Sequence, residues 1–314
     1  MVRGVRLIAL GAVVLLFAAG CGGSSGEKVT VDATPAALRH AAQATLAKGT
    51  SKVEFTVKMT IQGHDVTLPG TGSMDPANKV FDMSFDAKDL FSKLAGSESV
   101  PPEVASSFDQ PIEVIVDHTV MYMHFALLAQ LGGGGKDWIK IDLAAANKNV
   151  GDLLGGQGGG AFGSDPSSFL QFLEGAGKVT EVGKEDVRGV STTHFSGSYT
   201  LKDALAALPA DQRDKAQQAF DNLGLSSDAD SHDIPFDAWV DADGLIRRMQ
   251  TSFDLASLTS SGNPAGLGAT SMTMEYFDFG QPVDIQIPSD DQVQDMSSLI
   301  PSGSKFSSVG SSIN

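Results

Sequence analysis

Lys52-Val53-Glu54-Phe55-Thr56-Val57-Lys58-Met59-Thr60-Ile61 alternates polar and apolar side chains without a break. A period of two sends Val53, Phe55, Val57, Met59 and Ile61 to one face of a strand and their polar neighbours to the other. One face is then buried and the other wet, as in an antiparallel sheet with a single packed side. The same alternation returns at Phe81, Met83 and Phe85, set against Asp82, Ser84 and Asp86. Between the two runs, Gly70, Gly72 and Asp75-Pro76-Ala77-Asn78 read as turns.

Further strands follow outward from this core. Ile112 to Val116 and Val120 to Phe125 flank Asp117-His118 as a hairpin, and Trp138 to Leu143 forms another strand. Less regular strands are expected between residues 179 and 200. Phe236 to Val240 and Leu245 to Leu255 flank Asp241-Ala242-Asp243-Gly244, a strong hairpin signal. Met272 to Phe279 and Val283 to Ile287, separated by Gly280-Gln281-Pro282, are the last predicted strands.

Helices stand before and between the strands. Thr34 is placed to cap a helix opened by Pro35, with Leu38, Ala42 and Leu46 on one face and Lys48-Gly49 as its close. Asp165-Pro166 opens a short helix carrying Phe169, Leu170, Phe172 and Leu173 and stopped by Gly175. A longer helical stretch runs from about Lys202 to Leu223, broken at Pro209 and ended by Gly224. The order helix, strands, helices, strands predicts one α+β domain over residues 31–300, built on one large antiparallel sheet. The Gly-rich stretch 151–163 reads as a loop and the Ser-rich residues 301–314 as a flexible tail.

The N-terminus carries a separate message. Arg3 and Arg6 precede an apolar run from Leu7 to Phe17, and Ala18-Ala19-Gly20 follow it. That is an export signal over residues 1–20, with an apolar run well short of the roughly 20 residues that span a bilayer. Cys21, the single cysteine of the chain, stands directly after it. The arrangement resembles the bacterial lipobox, with Ala18 at the position where leucine is commonest. The resemblance implies diacylglyceryl modification of the Cys21 thiol, cleavage before it, and tethering of the chain to the outer face of the cytoplasmic membrane. Two acyl chains anchor stably where one binds marginally. Gly22 to about Thr30 then serve as a spacer.

Composition narrows the function classes. Residues 1–20 hold two arginines and no acidic residue, so removing them takes the formal charge from −16 to −18. Such a surface repels nucleic acid and anionic headgroups alike. With one cysteine there is no intramolecular disulfide, so the fold rests on apolar burial. Gly22-Gly23-Ser24-Ser25-Gly26 matches G-x-S-x-G but lies in the spacer, with no strand before it. Gly158 to Gly163 matches G-x-G-x-x-G without a feeding strand. If Gly244 were position six of a calcium loop, Trp239 and Gln250 would hold its first and last positions, where carboxylates are needed. His40, His64, His118, His124, His194 and His232 have no metal-ligand spacing. No catalytic residues, metal or cofactor are predicted.

What stands out is the apolar sheet face. Its inward positions are Phe55, Val57, Met59, Phe81, Met83, Phe85, Met249, Phe253, Met272 and Met274. Methionine is flexible and polarizable, suiting surfaces that accept varied apolar partners. The same residues also make an ordinary packed core under a helix. The lipobox, the early helix, the Val53–Ile61 strand, the hairpin Phe236 to Met249 and the ending Tyr276-Phe277-Asp278-Phe279-Gly280-Gln281-Pro282-Val283 follow in that order. In this the chain resembles the actinobacterial lipoproteins of the LppX/LprG type, and more loosely the periplasmic LolA/LolB carriers. The resemblance implies a curved antiparallel half-barrel with helices across its open side, enclosing an apolar cavity for acylated lipid. The ten inward residues are then the candidate cavity lining. The alternative is an envelope sensor or interaction module of the same fold with a filled core.

Overall fold

The computed structural model describes residues 33–94, 109–124, 135–142, 173, 176–207, 213, 217, 232–254 and 267–297. The signal, Cys21, the spacer, the Gly-rich stretch, most of the helix expected from Asp165, most of the helical stretch beyond Ala207 and the tail lie outside the described residues. Among the described residues, no helix is long and apolar enough to cross a membrane.

Twelve strands form one sheet. They are β1 (Ser51–Ile61), β2 (His64–Asp75), β3 (Val80–Phe85), β4 (Ile112–Asp117), β5 (Val120–His124) and β6 (Trp138–Asp142), then β7 (Lys178–Val187), β8 (Val190–Thr200), β9 (Asp233–Asp241), β10 (Ile246–Asp254), β11 (Leu267–Phe277) and β12 (Val293–Asp295). Their spatial order is β12-β6-β5-β4-β3-β2-β1-β11-β10-β9-β8-β7. Strands β1 to β6 walk toward one edge; β7 starts at the other edge and the chain walks back, so β1 and β11 meet in the middle. Three helices are described: α1 (Pro35–Ala47), α2 (Lys88–Leu94) and α3 (Leu201–Ala207).

The decisive strand forms as its pattern predicts. In β1, residues 51, 53, 55, 57, 59 and 61 are all buried, and their neighbours face solvent or are half-buried. Helix α1 begins where expected, with the Ala37 N–H donating to Thr34 Oγ1 at 3.2 Å and Pro35 in the first turn. It buries Leu38, Ala41, Ala42 and Thr45. Thr45 Oγ1 donates to the Ala41 carbonyl (2.7 Å) and accepts the Ile246 N–H (2.9 Å). That pair of bonds docks α1 onto the start of β10, at a backbone group left over by the bulge between Ile246 and Arg248. The Asp241–Gly244 turn also forms, with Asp241 Oδ1 accepting from the Asp243 and Leu245 amides at 2.9 Å.

Three elements differ from expectation. Gly70 and Gly72 are not turns; they lie inside the twelve-residue β2, paired with Phe55 and Val53. Residues Val283 to Ile287 form no strand beside β11. Pro282 and Pro288 offer no N–H to a ladder, and the Gly280 amide bonds instead to the Thr50 carbonyl at 2.7 Å. The chain crosses to the far edge, where β12 pairs with β6 in parallel, so the sheet is mixed instead of wholly antiparallel. Helix α2 is an addition. Asp86 Oδ1 accepts the Lys88 N–H at 2.9 Å, and Asp89 Oδ2 accepts the Thr67 N–H at 2.8 Å along the part of β2 that β3 leaves unpaired.

Candidate functional site

Cross-strand register turns the inward positions into continuous rows. One row reads Ile112, Phe85, Gly70, Phe55, Met274, Met249, Ala238, Phe195 across eight strands. A second reads Leu68, Val57, Met272, Thr251, Phe236, Gly197. A third reads Ile139, Met123, Val114, Met83, Gly72, Val53, Tyr276. Each row carries one glycine among its larger side chains, and at Gly70 and Gly197 a neighbouring ring lies over a position with no Cβ. A Cβ added at Gly70 would stand 2.2 Å from the Phe55 ring, and one at Gly197 would stand 2.6 Å from the Phe236 ring.

All ten candidate lining residues fall in one apolar cluster. They fall into two groups. Val57, Met249 and Met274 keep 1%, 0% and 5% of their surface, and Phe55, Met59 and Met272 keep 7% each. Phe81, Met83, Phe85 and Phe253 are half-buried and pack against the same cluster. The face is thus closed over β1, β9, β11 and the first part of β10, and partly open over β3 and at Phe253. Beyond β3 it continues into a second cluster of Val114, Val116, Met121 and Ile141, which shares Phe81 and Phe85 with the first.

The polar groups within this face are few and neutral. The Tyr276 hydroxyl lies 3.2 Å from Met274 Sδ. Burial pushes the Tyr199 phenol up to about 12, against a hydrogen bond with Thr251, so it stays an uncharged hydroxyl.

The opposite face carries the charge. Paired positions His194, Trp239, Arg248, Glu275 and Glu54 form one row across β8, β9, β10, β11 and β1. Arg248 Nη2 donates to Glu275 Oε1 at 2.6 Å. Arg188, in the β7–β8 turn, reaches over the row to Glu275 (2.8 Å) and Glu54 and lies 4.1 Å from the Phe277 ring centre. The His194 ring stacks on Trp239 at 4.2 Å, its nitrogens 3.0 Å from Glu185 and 2.9 Å from Asp237. The Trp239 indole N–H, donating to Glu185, holds that carboxylate below its ordinary range, with His194 acting the same way. Sequence reasoning missed this row, because its members become neighbours only once the register is known.

An open groove of about 540 Å³ lies where β1, β2, β10 and β11 end, opposite α1. Met59 and Phe253 border it. Yet Met59, Val66 and Thr270 keep only 7%, 1% and 7% of their surface, so the groove opens on the polar side of the sheet. It is not the apolar site.

No family model matches the chain. A Streptomyces griseus protein described as an uncharacterized 31.2 kDa protein in the rplA-rplJ intergenic region is 27% identical over 176 residues, 54% of this chain and 52% of that protein. The chain spans about half the length of this curated relative. Among solved structures, the Mycobacterium tuberculosis lipoprotein LppX is similar with a TM-score of 0.41 and 13% identity, over 81% of this chain and all of that one. LprF from Mycobacterium bovis is similar with a TM-score of 0.41 and 12% identity, over 81% of this chain and 96% of that one.

Proposed function

We propose that the chain is a lipoprotein of the cell envelope, tethered through Cys21 to the outer face of the cytoplasmic membrane, that binds or transfers acylated lipid on the apolar face of its sheet. The observation that carries this reading is the continuous row structure of that face. Phe, Met and aliphatic side chains recur in register from strand to strand and are only half-covered at Phe81, Met83 and Phe85. An acyl chain laid there trades water for carbon at about 0.8 kcal/mol per methylene, and no reacting group is needed to hold it. The tether keeps such a protein within reach of the bilayer that supplies the lipid.

Entry over β3 fits the exposure pattern. The six closed residues would then be reached by rearranging methionines, whose unbranched chains move between rotamers at low cost. The test is native mass spectrometry of protein lacking residues 1–20 and carrying Cys21→Ser, purified without added lipid. A co-purified adduct with the mass of an acylated lipid is expected. Its absence, together with a solid core in an experimental structure, would overturn the reading.

The near-complete burial of Phe55, Val57, Met59, Met249, Met272 and Met274 supports a second reading, an envelope sensor or interaction module with a filled core. It gives no lipid adduct and a protein partner in crosslinking from intact cells.

A further inference from the structure

The sheet ends differently at its two edges. At one, the three residues of β12 cover β6; at the other, β7 runs for ten residues and, among the described residues, has a strand on one side only. Both faces of β7 are largely open, with Val187 its one buried residue. Val182 is 57% exposed, more than any other large apolar side chain among the described residues. Such an edge is a template for a further strand.

The shape of the edge selects its occupant. A bulge between Glu181 and Gly183 bends β7, and bends of that kind keep straight strands away. A partner with the same bend at the same point fits, and a second copy of β7 is such a partner. The bulge also settles the faces. Glu181 pairs with Phe195 on the apolar side and Gly183 with His194 on the charged side, so the alternation switches at Val182. Two straight copies of an even-numbered strand, laid antiparallel end to end, would set each outward residue against an inward one. The switch removes that mismatch on both sides of the bulge.

In this register Glu181 stands opposite the partner's Lys184, and symmetry repeats the pair. Both belong to the apolar side, Lys184 through its pairing with Thr193 and Val240, and neither has an ion-pair partner among the described residues. Opposite charges facing each other across strands stabilise the pairing, and no like charges meet along this ladder. Val182 stands opposite the partner's Gly183, where open space takes the place of a side chain.

We infer that a second copy of this chain pairs with β7, edge to edge and antiparallel, about a two-fold axis between Val182 and Gly183. One strand pair buries less than the roughly 1,200 Å² of a stable complex, so the dimer is weak and concentration-dependent. The inference does not rest on what the apolar face binds.

The test is disulfide crosslinking in protein lacking residues 1–20 and carrying Cys21→Ser, which leaves no native thiol. A Glu181→Cys preparation is mixed with a Lys184→Cys preparation under a mild oxidant. Residues directly opposed in an antiparallel pair have Cα atoms about 4.5–5.5 Å apart, within disulfide reach. Two copies of either variant alone would hold their thiols three residues apart along the ladder, roughly 10 Å and out of reach. The mixture is expected to give a crosslinked dimer, and each variant alone about fivefold less of it. Sedimentation of charge-reversed protein gives a second reading. Glu181→Lys and Lys184→Glu each set like charges face to face and weaken self-association about tenfold, and the double reversal restores it. The proposal is overturned if the mixture crosslinks no better than the single variants, or if the double reversal fails to restore what the single ones lose. Crosslinking of Glu181→Cys to a different protein in intact cells, with none to a second copy, would also overturn it and mark β7 as the seat of a foreign strand.

Discussion

Phe55 and Gly70 face each other across β1 and β2, and the ring occupies the space where a side chain at position 70 would stand. Phe236 and Gly197 repeat the arrangement across β9 and β8. In each pair the glycine lets an aromatic ring lie flat on the neighbouring strand, so the row stays continuous without overcrowding. The claim is local and steric. Gly70→Ala forces a methyl into the Phe55 ring and is expected to cost about 1–3 kcal/mol, the range for overpacking a core. Urea denaturation should show a lower midpoint with an unchanged slope. An unchanged midpoint would mean the ring is free to move and that the glycine has no packing role. From the sequence alone Gly70 reads as a turn, because a lone Gly beside polar residues signals a bend and nothing local reveals the aromatic partner. Phe55 is fifteen positions earlier, and only the pairing brings it there.

Between elements, α1 depends on one hydroxyl. Thr45 is buried, donates to its own helix and accepts the Ile246 amide of β10. Thr45→Val keeps the shape but leaves that amide unpaired in the interior, which costs about 1–3 kcal/mol. Thr45→Ser keeps the acceptor and is expected to be much milder. Hydrogen exchange at Ile246 reads the effect directly: fast exchange in the valine variant and slow exchange in the serine variant. Equal exchange in both would show that α1 docks by apolar contact alone. At this scale the sequence was readable where one pattern decided the matter: β1 by its period of two, α1 by Thr34-Pro35, and the β9–β10 turn by Asp241 to Gly244. It was unreadable where pairing decided. β12 has three residues and no alternation of its own, and it exists because its chain meets the edge of β6. Helix α2 did leave a signal in Asp86 just before its start and in Ala87, Leu90, Phe91 and Leu94 at helical spacing, but the preceding strand pattern masked it.

For the molecule as a whole, the two faces of one sheet differ in chemistry, apolar on one side and charged on the other. The apolar residues chosen from alternation all fall in one cluster, so the face they share was legible. Its coverage was not, since alternation says which side a residue faces and nothing about what lies above it. The structure closes that face over β1, β9 and β11 and leaves it half-open at β3, where three of the candidate residues are partly exposed and the lipid proposal is most open to test. The direct measurement is photo-crosslinking of the purified protein with a diazirine-bearing fatty acid, followed by peptide mapping. Adducts concentrated on Phe81, Met83 and Phe85 are expected, and their loss on competition with unlabelled phospholipid. Adducts scattered over the polar face, or none above the level of an unrelated acidic protein, would contradict it.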